Sequence, residues 1–201
     1  MLLISEEYRE QNRLLHENRD DYGISGHKWA TQILKVIEDD GGYASILDYG
    51  CGKSTLAAAL AEKDIAIAEY DPAIPGKDMP PEPADLVICG DVLEHVQPEC
   101  LDAVLAELKR LAKRKLIVII DMLPSDKWLP DGRNTHLITE DAKWWGARLS
   151  KTFDVLEWYT AGRKLYAELT PKLPGAVPKQ RRKPPPQWDE QIAAAKAEFN
   201  R

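Results

Sequence analysis

Between Ile46 and Thr55 the chain reads Ile-Leu-Asp-Tyr-Gly-Cys-Gly-Lys-Ser-Thr: an apolar run, an aspartate near its end, two glycines one residue apart, and a helix start. No other stretch restricts the fold so strongly. Glycines directly after an apolar strand allow a tight turn in which backbone comes close to a neighbour or a ligand. The ending Gly-Lys-Ser-Thr also matches the close of a phosphate-binding P-loop. That loop needs another glycine five positions before the glycine of Gly-Lys-Ser, so that backbone N–H groups can wrap the phosphates. Here that position, 52 − 5 = 47, is Leu47, inside the apolar run. The triphosphatase reading therefore fails at its central requirement, and Lys53-Ser54-Thr55 read as the start of the helix "STLAAALAEK", with a hydroxyl cap.

The rest of the chain repeats the strand-then-helix rhythm. Apolar runs at Ser45–Tyr49, Ile65–Tyr70, Asp85–Cys89, Leu116–Ile120, Phe153–Trp158 and Lys164–Leu169 read as strands. Ser5 opens a polar N-terminal helix, and Ser25 is placed to cap a second, with Trp29, Ile33, Val36 and Ile37 on one face. Between Pro98 and Lys113, Leu101, Val104, Leu105, Leu108 and Leu111 recur at helical spacing, as in an amphipathic crossover helix. The class is α/β: a Rossmann-like, mostly parallel sheet with helices on both faces. The last two runs, joined at Thr160-Ala161-Gly162, form a C-terminal antiparallel hairpin.

A chain of 201 residues with 44% hydrophobic content holds one core and a tail. We expect a domain over residues 1–170, with an N-terminal helical cap over about 1–42, and a proline-rich basic arm with a short terminal helix over 171–201. A net charge of −6 argues against whole-surface attraction to nucleic acid or anionic membrane. Cys51, Cys89 and Cys100 make no paired framework, and the longest central apolar run is too short to cross a bilayer. A cytoplasmic address without membrane contact is expected.

Asp71 closes the second run in "IAIAEYDPA", 71 − 48 = 23 residues after Asp48, where a carboxylate can take a ribose diol. A third run ends in "ADLVICGDVLEHV", with Asp91, Glu94 and His95 in its polar turn. With Asp48-x-Gly50-x-Gly52, these elements resemble the class I S-adenosylmethionine-dependent methyltransferases over roughly Tyr43 to Leu169. The resemblance implies S-adenosylmethionine as cofactor. It places Asp48, Tyr49, Gly50, Cys51 and Gly52 at the methionine part, Asp71 at the ribose, Asp78 at the adenine, and the turn from Gly90, including Asp91, along the methionine moiety. The chain departs from the pattern in two places: Ser54 stands at the third glycine, and "PAIPGKDMPPEP" leaves no room for the usual helix and third strand. A sheet trimmed at one edge follows.

Methyl transfer from a sulfonium is an in-line displacement, so the protein has mainly to align a nucleophile and exclude water. A hydroxyl or protonated amine as acceptor benefits from a general base, and histidine suits the task near neutral pH. His95 and His136 are the candidate catalytic residues, with His27 next. For each the plain alternative stays open: His95 as a packed brace of its turn, His136 as a loop histidine. Tyr8, Tyr22, Trp29, Trp144 and Trp145 are candidates for an acceptor wall, with one of the adjacent tryptophans in the core.

The expected activity is methyl transfer to an oxygen or nitrogen of an unidentified acceptor, a small molecule or glycan-type metabolite, with no obligatory metal. One alternative is a nucleic-acid methyltransferase. Some RNA 3′-terminal methyltransferases of the family resemble the arrangement of Asp91, Glu94, His95 and His136 and hold a divalent metal with it, while the same Leu-Glu-His-Val string occurs in small-molecule O-methyltransferases. Phosphate contacts by Lys179, Arg181, Arg182 and Lys183 belong to that alternative. Another is a non-catalytic cofactor-binding or scaffold protein. The stripe of Trp188, Ile192 and Phe199 would dock on the body, on a partner or on a second copy.

Overall fold

The computed structural model describes residues 2–172. The expected arm and terminal helix, including Lys179, Arg181, Arg182 and Lys183, lie outside them. The six strands are β1 (Ile46–Tyr49), β2 (Ala68–Tyr70), β3 (Ala84–Gly90), β4 (Ala112–Asp121), β5 (Phe153–Ala161) and β6 (Lys164–Pro171). They form one sheet in the order β2-β1-β3-β4-β6-β5. The first four run parallel, and β6 pairs antiparallel with both β4 and β5.

Alternation along the strands decides which helices cover which face. Leu47, Val87, Cys89, Leu116, Val118 and Ile120 face a cluster completed by α4 (Leu101–Leu111) and α5 (Ala142–Thr152). Ile46, Leu86, Ile88, Ile117 and Ile119 face the other way, against α2 (Ala30–Asp39) and α3 (Thr55–Ala61). Continuous apolar runs are what a parallel sheet buried on both sides requires. A third, smaller cluster joins Tyr8 and Leu15 of α1 (Glu6–Asn18) to Tyr22 and to Leu129 in the long loop after β4. It roofs the C-terminal ends of the parallel strands, where α/β sheets hold their ligands.

The trimmed edge is present: β2, three residues long, ends the sheet, and no helix or strand lies between Tyr70 and Ala84. Several local expectations are corrected. The strand expected from Ile65 starts at Ala68, while Ile65 and Ile67 pack on the second cluster without joining the ladder. Helix α4 ends at Leu111 and β4 follows at once through Lys113, Arg114 and Lys115. Charge is tolerated there because Lys113 and Arg114 are exposed and Lys115 sits between Asp40 at 2.7 Å and Glu168 at 2.6 Å. Ser5 caps α1 through its hydroxyl, 3.2 Å from the Tyr8 N–H. Ser25 caps nothing; it opens a 3₁₀ turn, Ser25–Trp29, that leads into α2. Ser54 precedes α3 in a left-handed conformation, and its hydroxyl accepts from Lys77 Nζ instead of capping the helix. Among the described residues, no helix is long and apolar enough to cross a membrane.

Candidate functional site

A cavity of about 500 Å³ opens at the C-terminal ends of β1, β2 and β3, beneath the roof of α1 and the loop after β4. Its floor is the glycine turn. Gly50 has φ +80°, and a Cβ there would lie 2.3 Å from Val92 Cγ2; Gly52 has φ +50°, and its Cβ would lie 2.4 Å from the Gly23 carbonyl oxygen. Both positions exclude side chains on steric grounds. The Lys53 N–H donates to that same Gly23 carbonyl at 2.7 Å, so the N-terminal cap is sealed directly onto the turn.

Asp48 lies on β1 at the cavity wall, and burial, reinforced by Glu69 and Asp71, pushes its carboxyl up to about 7. Asp71, just past β2, braces the turn from the side: one oxygen accepts from the Gly52 N–H at 3.1 Å and the other from the Ala73 N–H at 2.9 Å. Each oxygen keeps a second lone pair. The Tyr49 ring turns into the core beside Tyr70, centroids 5.0 Å apart, so what this residue offers a ligand is its backbone. The Cys51 thiol is pushed up to about 12 by burial and stays protonated, which removes it as a nucleophile. Asp91 follows β3 with φ +57°, an uncommon conformation for a side-chain-bearing residue. One of its oxygens accepts from Trp29 Nε1 at 3.3 Å and the other from Lys164 Nζ at 2.5 Å. Asp78 does not line the cavity: it is exposed and accepts from the Gly76 N–H at 3.2 Å.

The two candidate catalytic histidines meet at the far side of the cavity, ring centroids 4.7 Å apart and nearly perpendicular. His95 is held at one ring nitrogen by the Thr135 carbonyl, and its Nδ1 is shielded without a partner. Burial, with His136 adding to it, pushes His95 down to about 3, so the ring is neutral and a weak base. His136 Nδ1 lies 2.6 Å from the Leu123 carbonyl oxygen, which assigns the proton there and leaves Nε2 as the acceptor. Burial lowers its pKa as well. Glu94, fully buried near both, accepts from the Asp121 N–H at 2.7 Å through Oε1, while Oε2 has no partner. Its carboxyl is raised well above the ordinary range, chiefly by burial. Donor atoms of Glu94, His95 and His136 all lie within 4.8 Å of one another. His27 stays outside the cavity, bound to the Ile24 carbonyl at 2.7 Å.

Of the candidate aromatic wall, Tyr8, Tyr22 and Trp29 line the cavity. Trp144 and Trp145 do not; Trp145 is fully buried between α5 and the sheet, and Trp144 packs beside it. Among the lining residues that escaped the sequence reading are His16, Asp121, Arg163 and Lys164. Asp121 carries the signal that Asp48 and Asp71 carry, a carboxylate closing an apolar run. Arg163 and Lys164 have no local signature, because only the antiparallel register, with Lys164 opposite Asp121, brings them to the cavity.

A family model described as a methyltransferase domain matches residues 15–163. Among solved structures the chain is similar to the 1,6-didemethyltoxoflavin-N1-methyltransferase of Burkholderia thailandensis, solved with 1,6-didemethyltoxoflavin and S-adenosylhomocysteine. Identity is 16%, the match covers 86% of this chain and 92% of that one, and the TM-score is 0.63. It is also similar to the magnesium protoporphyrin IX methyltransferase of Synechocystis PCC 6803, solved with bound S-adenosylhomocysteine, at 17% identity, 83% and 97% coverage and a TM-score of 0.55. At such identities the likeness is one of fold. No curated protein matches.

Proposed function

We propose, from the premise that this chain belongs to the methyltransferase-domain family, that its cavity binds S-adenosylmethionine and directs methyl transfer to an oxygen or nitrogen of a small-molecule acceptor. The observation that carries the reading is the floor: a glycine turn that no Cβ could occupy, flanked by Asp48 and Asp71 at the ends of neighbouring strands. The cofactor supplies an electrophilic methyl group on a sulfonium. Backbone from Tyr49 to Gly52 would hold its methionine part, Asp48 would offer a carboxylate to its ammonium group, and Asp71 would use its free lone pairs for the ribose hydroxyls. Asp91 would line the methionine side, and His16 lies on the same cavity wall. Asp78 has no part in this assignment.

At the acceptor end the two histidines divide the work. His136 Nε2 takes the proton of an acceptor hydroxyl or ammonium, because its Nδ1 is fixed by the Leu123 carbonyl. His95, neutral and a weak base, orients His136 by ring contact. Small size is supported by the roof, where Tyr8 and Tyr22 enclose a volume in the range of small-ligand sites. In this reading the methyltransferase domain runs to the end of β6. Three free cysteines, all buried, support a reducing compartment such as the cytosol.

A metal-assisted version of the same transfer is favoured by one observation: Glu94 Oε2 and His95 Nδ1 are unpartnered beside His136. These three residues would hold a divalent ion through oxygen and imidazole donors, and the ion would orient acceptor oxygens. The test of the function is transfer of labelled methyl groups into fractionated small metabolites and into RNA, with and without chelator, using wild type and His136→Ala. We expect label in the small-molecule fraction, lost in the variant. Chelator-sensitive label confined to RNA would replace the first reading with the second, and no transfer to either fraction would leave a binding protein.

A further inference from the structure

Lys164 is the first residue of β6, delivered to the cavity by the turn at Gly162, whose φ is +56°. Its ammonium group is 2.5 Å from Asp91 Oδ1 and 3.1 Å from Asp121 Oδ2, and lies 5.9 Å from the centre of the Trp29 ring. Asp121 has a second cation, Arg163 Nε at 2.6 Å. For Asp91 the remaining partner is the neutral Trp29 N–H. Asp91 is thus neutralised by Lys164 alone among the described residues, at a strained backbone position on the cavity wall. Burial opposes charge on the lysine, but Asp91, Glu94 and Asp121 overcome it and keep the group protonated.

Resting on the reading above, we propose that Lys164 is a positioning residue that fixes Asp91 and sets the net charge of the cavity wall, and so the ratio of affinities for the sulfonium cofactor and its thioether product. The two ligands share their adenosine, ammonium and carboxylate groups and differ by the methyl group and one positive charge. Any unit charge added to or removed from the wall therefore acts on their difference. Two unit charges about 8 Å apart at an effective dielectric constant of about 20 interact strongly enough to shift such a ratio about tenfold after salt screening. With Asp91 and Lys164 paired, this pair adds little net charge to the wall, and the preference for the sulfonium is left to the other carboxylates, Asp48 among them.

The experiment is calorimetric titration at pH 8 with S-adenosylmethionine and with S-adenosylhomocysteine, on wild type, Lys164→Met, Lys164→Arg, Asp91→Asn and the double variant Asp91→Asn/Lys164→Met. Lys164→Met leaves Asp91 uncompensated and should favour the sulfonium by about tenfold relative to wild type. Asp91→Asn leaves Lys164 and Arg163 sharing the single carboxylate of Asp121, one positive charge in excess, and should shift the ratio the opposite way. The double variant and Lys164→Arg should return it to within about twofold of wild type. A merely structural lysine would change both affinities together and leave the ratio alone. An unchanged ratio in Asp91→Asn, or in a folded Lys164→Met, overturns the inference; if Lys164→Met does not fold, Asp91→Asn and the double variant decide it. Failure of wild type to bind either ligand would refute the cofactor reading instead.

Discussion

Asp48 makes the sharpest prediction about the cofactor end of the site. Its carboxyl is 5% exposed, and burial with Glu69 and Asp71 nearby raises it to about 7. At pH 6 the group is mostly protonated and at pH 8 mostly ionised, and the ionised form is the one that attracts the ammonium and sulfonium of the cofactor. Affinity should therefore rise about tenfold between pH 6 and pH 8, levelling off above the pKa. The cofactor's own amino group titrates too, so the quantity to compare is the difference between wild type and Asp48→Asn. Calorimetry at half-unit intervals would show a pH slope in wild type that the variant lacks. The same shift has a stability consequence of definite sign. An unfolded Asp48 loses its proton near pH 4 and the folded one near pH 7, so the folded state binds the extra proton and stability falls across that window. The full loss, present above about pH 7, is on the order of 4 kcal/mol, an upper bound where buried water relieves it. Asp48→Asn should accordingly melt several degrees higher than wild type at pH 8 and about the same at pH 4. A pH-independent difference between the two proteins, in binding or in melting, would refute the reasoning.

Three further predictions test other parts of the account. Gly52→Ala places a Cβ 2.4 Å from the Gly23 carbonyl at positive φ, so we predict a loss of about 1–3 kcal/mol in stability and disproportionate proteolysis near residues 19–29, measured by denaturation and limited digestion. Uniform protection of that segment would show that the cap does not depend on the turn. Trp145→Ala should cost about 3–5 kcal/mol, because the ring is fully buried. Trp145→Phe should cost less than about 2 kcal/mol, since the indole N–H it removes has no partner. Equal losses for the two would contradict the packing described. For His136→Ala, methyl transfer should fall at least about 100-fold while cofactor affinity changes less than about twofold; parallel losses of both would move His136 to the cofactor.

The parts of the fold that were legible in the sequence are those set by short-range chemistry. Leu101, Val104, Leu105, Leu108 and Leu111 carry helical periodicity, and all five are buried. The strand positions follow from apolar runs, and the missing third strand from the prolines between Asp71 and Ala84. Boundaries failed where tertiary partners override local preference: Lys115 lies outside the strand expected from Leu116, and it joins β4 because Asp40 and Glu168 are brought to it. At the site, His95 and His136 were legible as candidates, but their contact is not, because 41 residues separate them (136 − 95) and the loop after β4 closes the gap. Arg163 and Lys164 look like ordinary turn residues, and only the pairing of β6 with β4 turns them toward Asp121 and Asp91. Asp78 was matched by its place in the chain, which the trimmed edge makes unreliable, and it faces solvent.

The central claim is that the glycine turn between Asp48 and Asp71 is a cofactor floor. Calorimetric titration of wild type and Asp71→Ala with S-adenosylmethionine, and with ATP plus magnesium as control, tests it most directly. The account predicts one site for S-adenosylmethionine, affinity weakened by about tenfold or more in the variant through loss of the ribose contacts, and no response to ATP. Binding of ATP in its place, or S-adenosylmethionine binding that Asp71→Ala leaves untouched, would contradict the assignment.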